Sequence, residues 1–324
     1  MPYPGSDVDG WNVLVTGLPR SGTTLACELL NRVRDVVALD EPMNRGMLTE
    51  GASKRPPPGR RSLRRLLTRS RGAAGRARPP AAPRPEPDGP DPDLVADNIG
   101  RFLEQTRESL ARNGTAVSRH VDGRVLGSKV ADAYEDGGLR GKLFARGEIH
   151  IDKQLSPGFT LVVKHNSAFA AVLPQLVGRF AVSAVVRNPL SIISSWQTVP
   201  FPVQRGHASL AEQFDPALAA ALARLDDRVD RQFFLLAWFF RHFRDDLPDG
   251  AAVRYEDMVA SGGAALAAVV PQAADLTDPL TNRNRSSVYD PSAVKALGER
   301  MLDTDGPWWH FYTPDSVRQL LPDA

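Results

Sequence analysis

A chain of 324 residues has room for one large domain or two modest ones, and 42% apolar residues supply the material for a core. Lys and Arg number 40 against 38 Asp and Glu, a formal charge of only +2, so bulk charge selects no nucleic-acid partner. The single cysteine, Cys27, excludes an intramolecular disulfide framework and falls in the apolar stretch 25–30, which marks it as core.

Residues 11–16, WNVLVT, are short, apolar and β-branched and read as a buried strand. GLPRSGT turns the chain, and TTLACELLNRV follows with Leu25, Leu29, Leu30 and Val33 at helical spacing. Strand, glycine loop and helix in that order form the phosphate-binding arrangement. DVVALDEP, 35–42, reads as a second strand stopped by Pro42. Residues 51–93 are rich in Arg, Pro, Ala and Gly and bury too little to offset their ordering entropy. They read as a basic, mobile insertion with a short helix at 60–70. A helix is expected at 94–112, a strand ending in polar groups at 159–167, and strand, turn and helix at 180–196. An apolar helix at 225–243 carries aromatics that belong to the core, and 251–259 is another strand-to-helix junction. The aromatic tail 306–317 is assigned to the core as well.

Strands alternating with helices predict an α/β fold, a mostly parallel sheet flanked by helices, as one domain over 1–324. Ligands gather at the C-terminal ends of such strands, where the polar motifs of this chain fall. No N-terminal apolar segment of the signal-peptide kind is expected before the loop, and the run 233–240 is far short of the ~20 residues that span a bilayer. The expectation is a soluble, cytoplasmic protein without a membrane span.

The loop of nucleoside triphosphatases follows GxxxxGK[ST], with the lysine on the β/γ-phosphates and the hydroxyl on Mg²⁺. Gly17 and Gly22 keep that spacing, but Thr23 stands at the lysine position and Arg20 is the loop's only cation. This argues against a Mg²⁺-dependent kinase or NTPase. It leaves metal-free binding of a 5′-phosphate to backbone N–H groups and a helix dipole. Arg20 suits its bridging oxygen or terminal group, and Thr23 and Thr24 offer hydroxyls.

Pro19-Arg20-Ser21-Gly22-Thr23-Thr24, followed far downstream by Val185-Val186-Arg187-Asn188-Pro189 and Ser195, resembles the sulfotransferases that use 3′-phosphoadenosine 5′-phosphosulfate (PAPS). The resemblance is nearer to the carbohydrate and tyrosyl-protein branches. It implies that residues 19–24 bind the 5′-phosphosulfate and that Arg187 and Ser195, eight positions apart, bind the 3′-phosphate. It further implies that the loop NRNRSS, 282–287, lies over the 3′-phosphate with Arg283, Arg285, Ser286 and Ser287, and that Val253–Asp257 matches a structural segment. The likeness covers roughly 11–45 and 159–290 and leaves 51–93 and 94–158 unassigned. PAPS would be the donor and 3′-phosphoadenosine 5′-phosphate (PAP) the product, with no metal required. The acceptor would be a hydroxyl of a small molecule, sugar, lipid or natural product, in keeping with bacterial secondary metabolism and with Ala- and Arg-rich usage.

Two residues compete for the acceptor's proton. Glu41 follows the second strand, as the glutamate base does in the carbohydrate branch, and precedes Pro42. Asp40 is adjacent, but successive strand residues point to opposite sides, so only one should face the cleft. His165 lies in Lys164-His165-Asn166, one residue shorter than the family's lysine–histidine motif, and Lys164 is the candidate cation for the transferred group. The competing functions are a P-loop kinase or NTPase and a nucleic-acid-binding protein that uses the Arg-rich tract.

Overall fold

In a computed structural model the chain is described over residues 11–51, 89–125, 130–134 and 139–322. The described strands are β1 (Asn12–Gly17), β2 (Val36–Asp40), β3 (Thr115–His120), β4 (Val130–Tyr134), β5 (Arg140–Lys142), β6 (Ala145–His150), β7 (Thr160–Lys164), β8 (Ala181–Val186) and β9 (Ala252–Arg254). Five of them form one sheet in the order β2-β7-β1-β8-β9, and every pairing in it is parallel. Helices flank this sheet, so the fold is α/β.

The sheet's two faces explain why its strands read as unbroken apolar runs. Leu14, Leu39, Val163 and Ala184 feed the larger core, while Val13, Val15, Ala38, Val162 and Val253 feed a second core on the other face. Strands covered on both sides have no polar face to alternate with. The helix Arg228–Asp246 places Phe233, Trp238, Phe239, Phe240 and Phe243 in the larger core, where Trp308 and Tyr312 of the tail join them. Cys27 is buried in the second core.

The expected boundary of the basic insertion needs correcting. A 22-residue helix begins at Pro92, inside the predicted segment. The Asp91 side chain accepts from the backbone N–H of Asp93, and proline suits the first helical turn, so this polar stretch starts a helix. Residues 52–88, with the helix expected at 60–70, lie outside the described residues.

Residues 94–158, unassigned by motif, contribute two antiparallel pairs, β3 with β6 and β4 with β5. β3 is tied to the end of β2, because the Asp40 N–H donates to Ser118 Oγ at 2.9 Å. β5 is tied to the chain beyond the helix that follows β8, because the Arg140 N–H donates to Thr198 O at 3.1 Å, so both pairs reach the end of the sheet where the polar motifs gather. Among the described residues, no helix is long and apolar enough to cross a membrane.

Candidate active site

The loop after β1 is shaped by two glycines. A Cβ at Gly17 would lie 2.6 Å from the carbonyl oxygen of Val185. Gly22 has φ 97, and a Cβ there would lie 2.6 Å from the ring of Tyr255. Between them the Ser21 N–H donates to Leu18 O at 3.0 Å, and Arg20 adopts φ 77. A left-handed conformation at a residue with a side chain costs roughly 1–2 kcal/mol. The helix Thr23–Leu30 then opens at Gly22 with no side-chain cap and no acid in its first turn. First-turn N–H groups have no acceptor within a helix and favour an anion.

This loop borders a cleft of about 910 Å³. Pro19, Arg20, Gly22, Thr23 and Thr24 line it from β1, Glu41 from β2, Lys164 from β7 and Arg187 from β8. The segment 279–289 lines another side, with Arg283, Arg285, Ser286 and Ser287. Residues Phe201–Val203 and His207–Leu210 form a further wall, and Arg119 and Arg140 enter from the small β pairs. Thus the loop, Arg187 and the 282–287 segment, far apart in sequence, share one space.

Arg187 is buried, and each of its three guanidinium nitrogens donates a hydrogen bond. Its Nε donates to Asn284 Oδ1 at 2.8 Å, one terminal nitrogen to the Arg20 carbonyl at 3.1 Å, and the other to the Arg283 carbonyl. Its guanidinium stacks over the Tyr255 ring, 4.5 Å from the centroid. None of these partners carries a negative charge. Tyr255 Oη in turn accepts from the Arg283 N–H at 3.0 Å. Glu256 accepts from the Asn188 N–H, from Asn284 Nδ2 and from Tyr312 Oη at 2.9, 2.7 and 2.8 Å. The Tyr255-Glu256 pair therefore fastens the 282–285 segment to the end of β8.

Two hydroxyls expected at an anion lie elsewhere. Ser195 is fully buried, does not line the cleft, and its Oγ accepts from Arg20 Nε at 3.1 Å. Eight positions along from Arg187, it braces the Arg20 side chain. Ser21 is likewise buried under the loop, with an Oγ that has no hydrogen-bond partner. Pro19 lines the cleft while its carbonyl accepts from Trp196 Nε1 at 2.8 Å. Arg285 reaches the mouth of the cleft and donates to the Gln319 carbonyl.

At the other end of the cleft, Lys164 Nζ donates to Asp40 Oδ1 and Glu41 Oε1, both at 2.9 Å, and Arg119 pairs with the second oxygen of Glu41. Of the two carboxylates only Glu41 borders the cleft, although both meet the same ammonium. Glu41 adopts φ 41, which breaks the strand alternation and lets both acids converge on one ammonium. Asp40 is buried beneath, and Glu41 borders the cleft. Burial opposes the charge on Lys164, but Asp40 and Glu41 outweigh it and hold its pKa above the ordinary lysine value.

His165 is 1% exposed and is absent from the cleft lining. Its Nε2 lies 3.2 Å from the Met43 carbonyl, its ring packs 5.5 Å from that of Phe169, and its Nδ1 is buried without a partner. Burial pushes its pKa down to about 4, so the ring is neutral at pH 7. The structure does not bring it to the site.

The cleft is a concentration of positive charge. Burial lowers the Arg20 pKa to about 10, and the charges of Arg140, Arg187 and Arg283 push it the same way. Arginines crowded together in this manner fit a polyanion better than a neutral ligand. Arg119 and Arg140 escape sequence reading because they sit in short charged strands indistinguishable from solvated edges. Tyr255 and Glu256 were visible only as a segment that resembles structural residues.

No protein-family model matches the chain, and no curated protein matches it. Among solved structures, the crystal structure of sulfotransferase STF1 from Mycobacterium tuberculosis H37Rv is similar at 14% identity. That similarity covers 92% of this chain and 78% of the other, with a TM-score of 0.31. A likeness of that depth carries no argument, and the site rests on its own geometry.

Proposed function

We propose that the protein is a PAPS-dependent sulfotransferase that moves a sulfuryl group to a hydroxyl of a small molecule, sugar, lipid or natural product. One observation carries the reading: the loop 17–24 and Arg187 line the same cleft, and Arg187 is bonded to the carbonyl of Arg20. A nucleotide with phosphates at both ends has two cationic seats there, and the residues fit it. The uncapped helix start supplies N–H donors, and Arg20 and Arg187 supply charge while bonded only to neutral hydroxyl, amide and carbonyl oxygens among the described residues. Thr23 in place of the P-loop lysine fits a donor held without Mg²⁺.

When bound, PAPS supplies a sulfuryl group whose bond to the 5′-phosphate oxygen breaks as sulfur bonds the acceptor oxygen, leaving PAP. The loop amides and Arg20 hold the 5′ end, and Arg187, Arg283 and Asn284 shape the 3′ end. Glu41 takes the acceptor's proton, a role that suits a carboxylate bordering the cleft and held by Lys164 and Arg119. Lys164 then orients the base rather than meeting the transferred group.

Thermal unfolding with nucleotides tests the reading. PAP at a hundred times its Kd stabilises the fold by ~2.7 kcal/mol, and Arg187→Ala abolishes the shift. A larger stabilisation by ATP–Mg²⁺ assigns the cleft to a kinase or NTPase instead. Salt-dependent RNA binding that survives Arg187→Ala, with no response to PAP, assigns the chain to nucleic-acid binding.

A further inference from the structure

Arg140 stands on β5, in the part of the chain that no motif covers. It is 6% exposed, yet it lines the cleft. Its backbone N–H donates to Thr198 O at 3.1 Å, which pins β5 to the end of the helix Pro189–Trp196. Among the described residues its side chain has no ion-pair partner, and its Nε is buried without an acceptor. A buried guanidinium in that condition is costly unless a ligand completes it.

Other cations of the cleft have declared partners. Lys164 is bonded to Asp40 and Glu41, and Arg119 to Glu41. Arg187 is held by three oxygens, Arg20 Nε by Ser195, and Arg285 by the Gln319 carbonyl. Arg140 also acts on the loop directly. Both residues line the same cleft, and after burial the charge of Arg140 is the largest influence lowering the pKa of Arg20.

We propose that Arg140 is the cation that meets the sulfuryl group, in the place that sequence reasoning assigned to Lys164. The inference rests on the sulfotransferase reading. Arg140 donates N–H bonds to sulfuryl oxygens while the bond from sulfur to the 5′-phosphate oxygen breaks and the bond to the acceptor oxygen forms. Arg140 exchanges no proton, since the acceptor's proton goes to Glu41.

PAPS and PAP differ only by that group, so their binding separates the roles. Calorimetric titration of each nucleotide, without acceptor, into wild type and Arg140→Gln is the test. Arg140→Gln weakens PAPS about tenfold and PAP less than threefold, and Arg140→Lys restores part of the PAPS affinity. Removing a buried, uncompensated charge leaves the unfolding temperature of the ligand-free protein no lower. Equal weakening of both nucleotides overturns the inference in favour of a phosphate contact. No change in either overturns it in favour of an acceptor contact or a purely structural cation. A wild-type protein that binds neither nucleotide overturns the sulfotransferase reading itself, which the other outcomes leave standing.

Discussion

Glu41 is held in a left-handed conformation at the end of a strand, between an ammonium and a guanidinium. Strained residues at a cleft are retained where the surroundings over-determine them, and they cluster at functional positions. The pairing fixes the position of the carboxylate at the edge of the cleft, which a proton acceptor needs. Glu41→Gln should therefore lower turnover by ~10²–10⁴ while PAP binding stays within a few-fold of wild type, read by labelled sulfuryl transfer alongside calorimetry. His165→Asn in the same assay should leave turnover within a few-fold, because the ring lies behind the cleft wall. Glu41 was legible in the sequence because a short apolar run and Pro42 bracket it. The engagement of Lys164 was not, since it depends on a φ reversal that no local pattern announces.

The strands and loops carry the next level. The central strands were readable because burial on both faces forces continuous Val, Leu and Ala, and the loop was readable because two close approaches demand glycine. The β3–β6 and β4–β5 pairs were not. RGK and ARGEIH carry charge where alternation would have to be apolar, and ARGEIH takes its register from a strand well upstream, with Thr115 opposite His150. The loop itself offers a direct test. At Gly22 a methyl group would meet the Tyr255 ring and would also have to tolerate a positive φ. Gly22→Ala should cost about 1–3 kcal/mol in urea unfolding and weaken PAP at least tenfold, because Tyr255 cannot retreat without moving Arg187.

Across the whole molecule a formal charge of +2 conceals how the charge is distributed. Composition cannot report that arginines from β3, β5, β8 and the loops converge, so the cationic cleft emerged only from the fold. Stability against acid has a similarly hidden source. His165 has a pKa near 4 in the folded chain against an ordinary 6.5, so on acidification the unfolded chain takes up the proton first. Its contribution is complete above about pH 6.5 and is lost as pH falls toward 4. From pH 7 to pH 5 the loss is about 2 kcal/mol. Urea unfolding at the two pH values should show a smaller difference for His165→Asn by about that amount.

Tyr255 touches three of the parts that line the cleft. Its ring edge rests on Gly22, its face lies beneath Arg187, and its hydroxyl holds the backbone at Arg283. One rigid aromatic plate thus acts as the spacer of a caliper whose jaws are set before anything enters. A molecule bearing a single phosphate fills one jaw, and one whose charges are spaced differently fits neither well. On the proposed sulfotransferase reading, that fixed spacing selects the nucleotide by measuring it, ahead of any bond being made or broken.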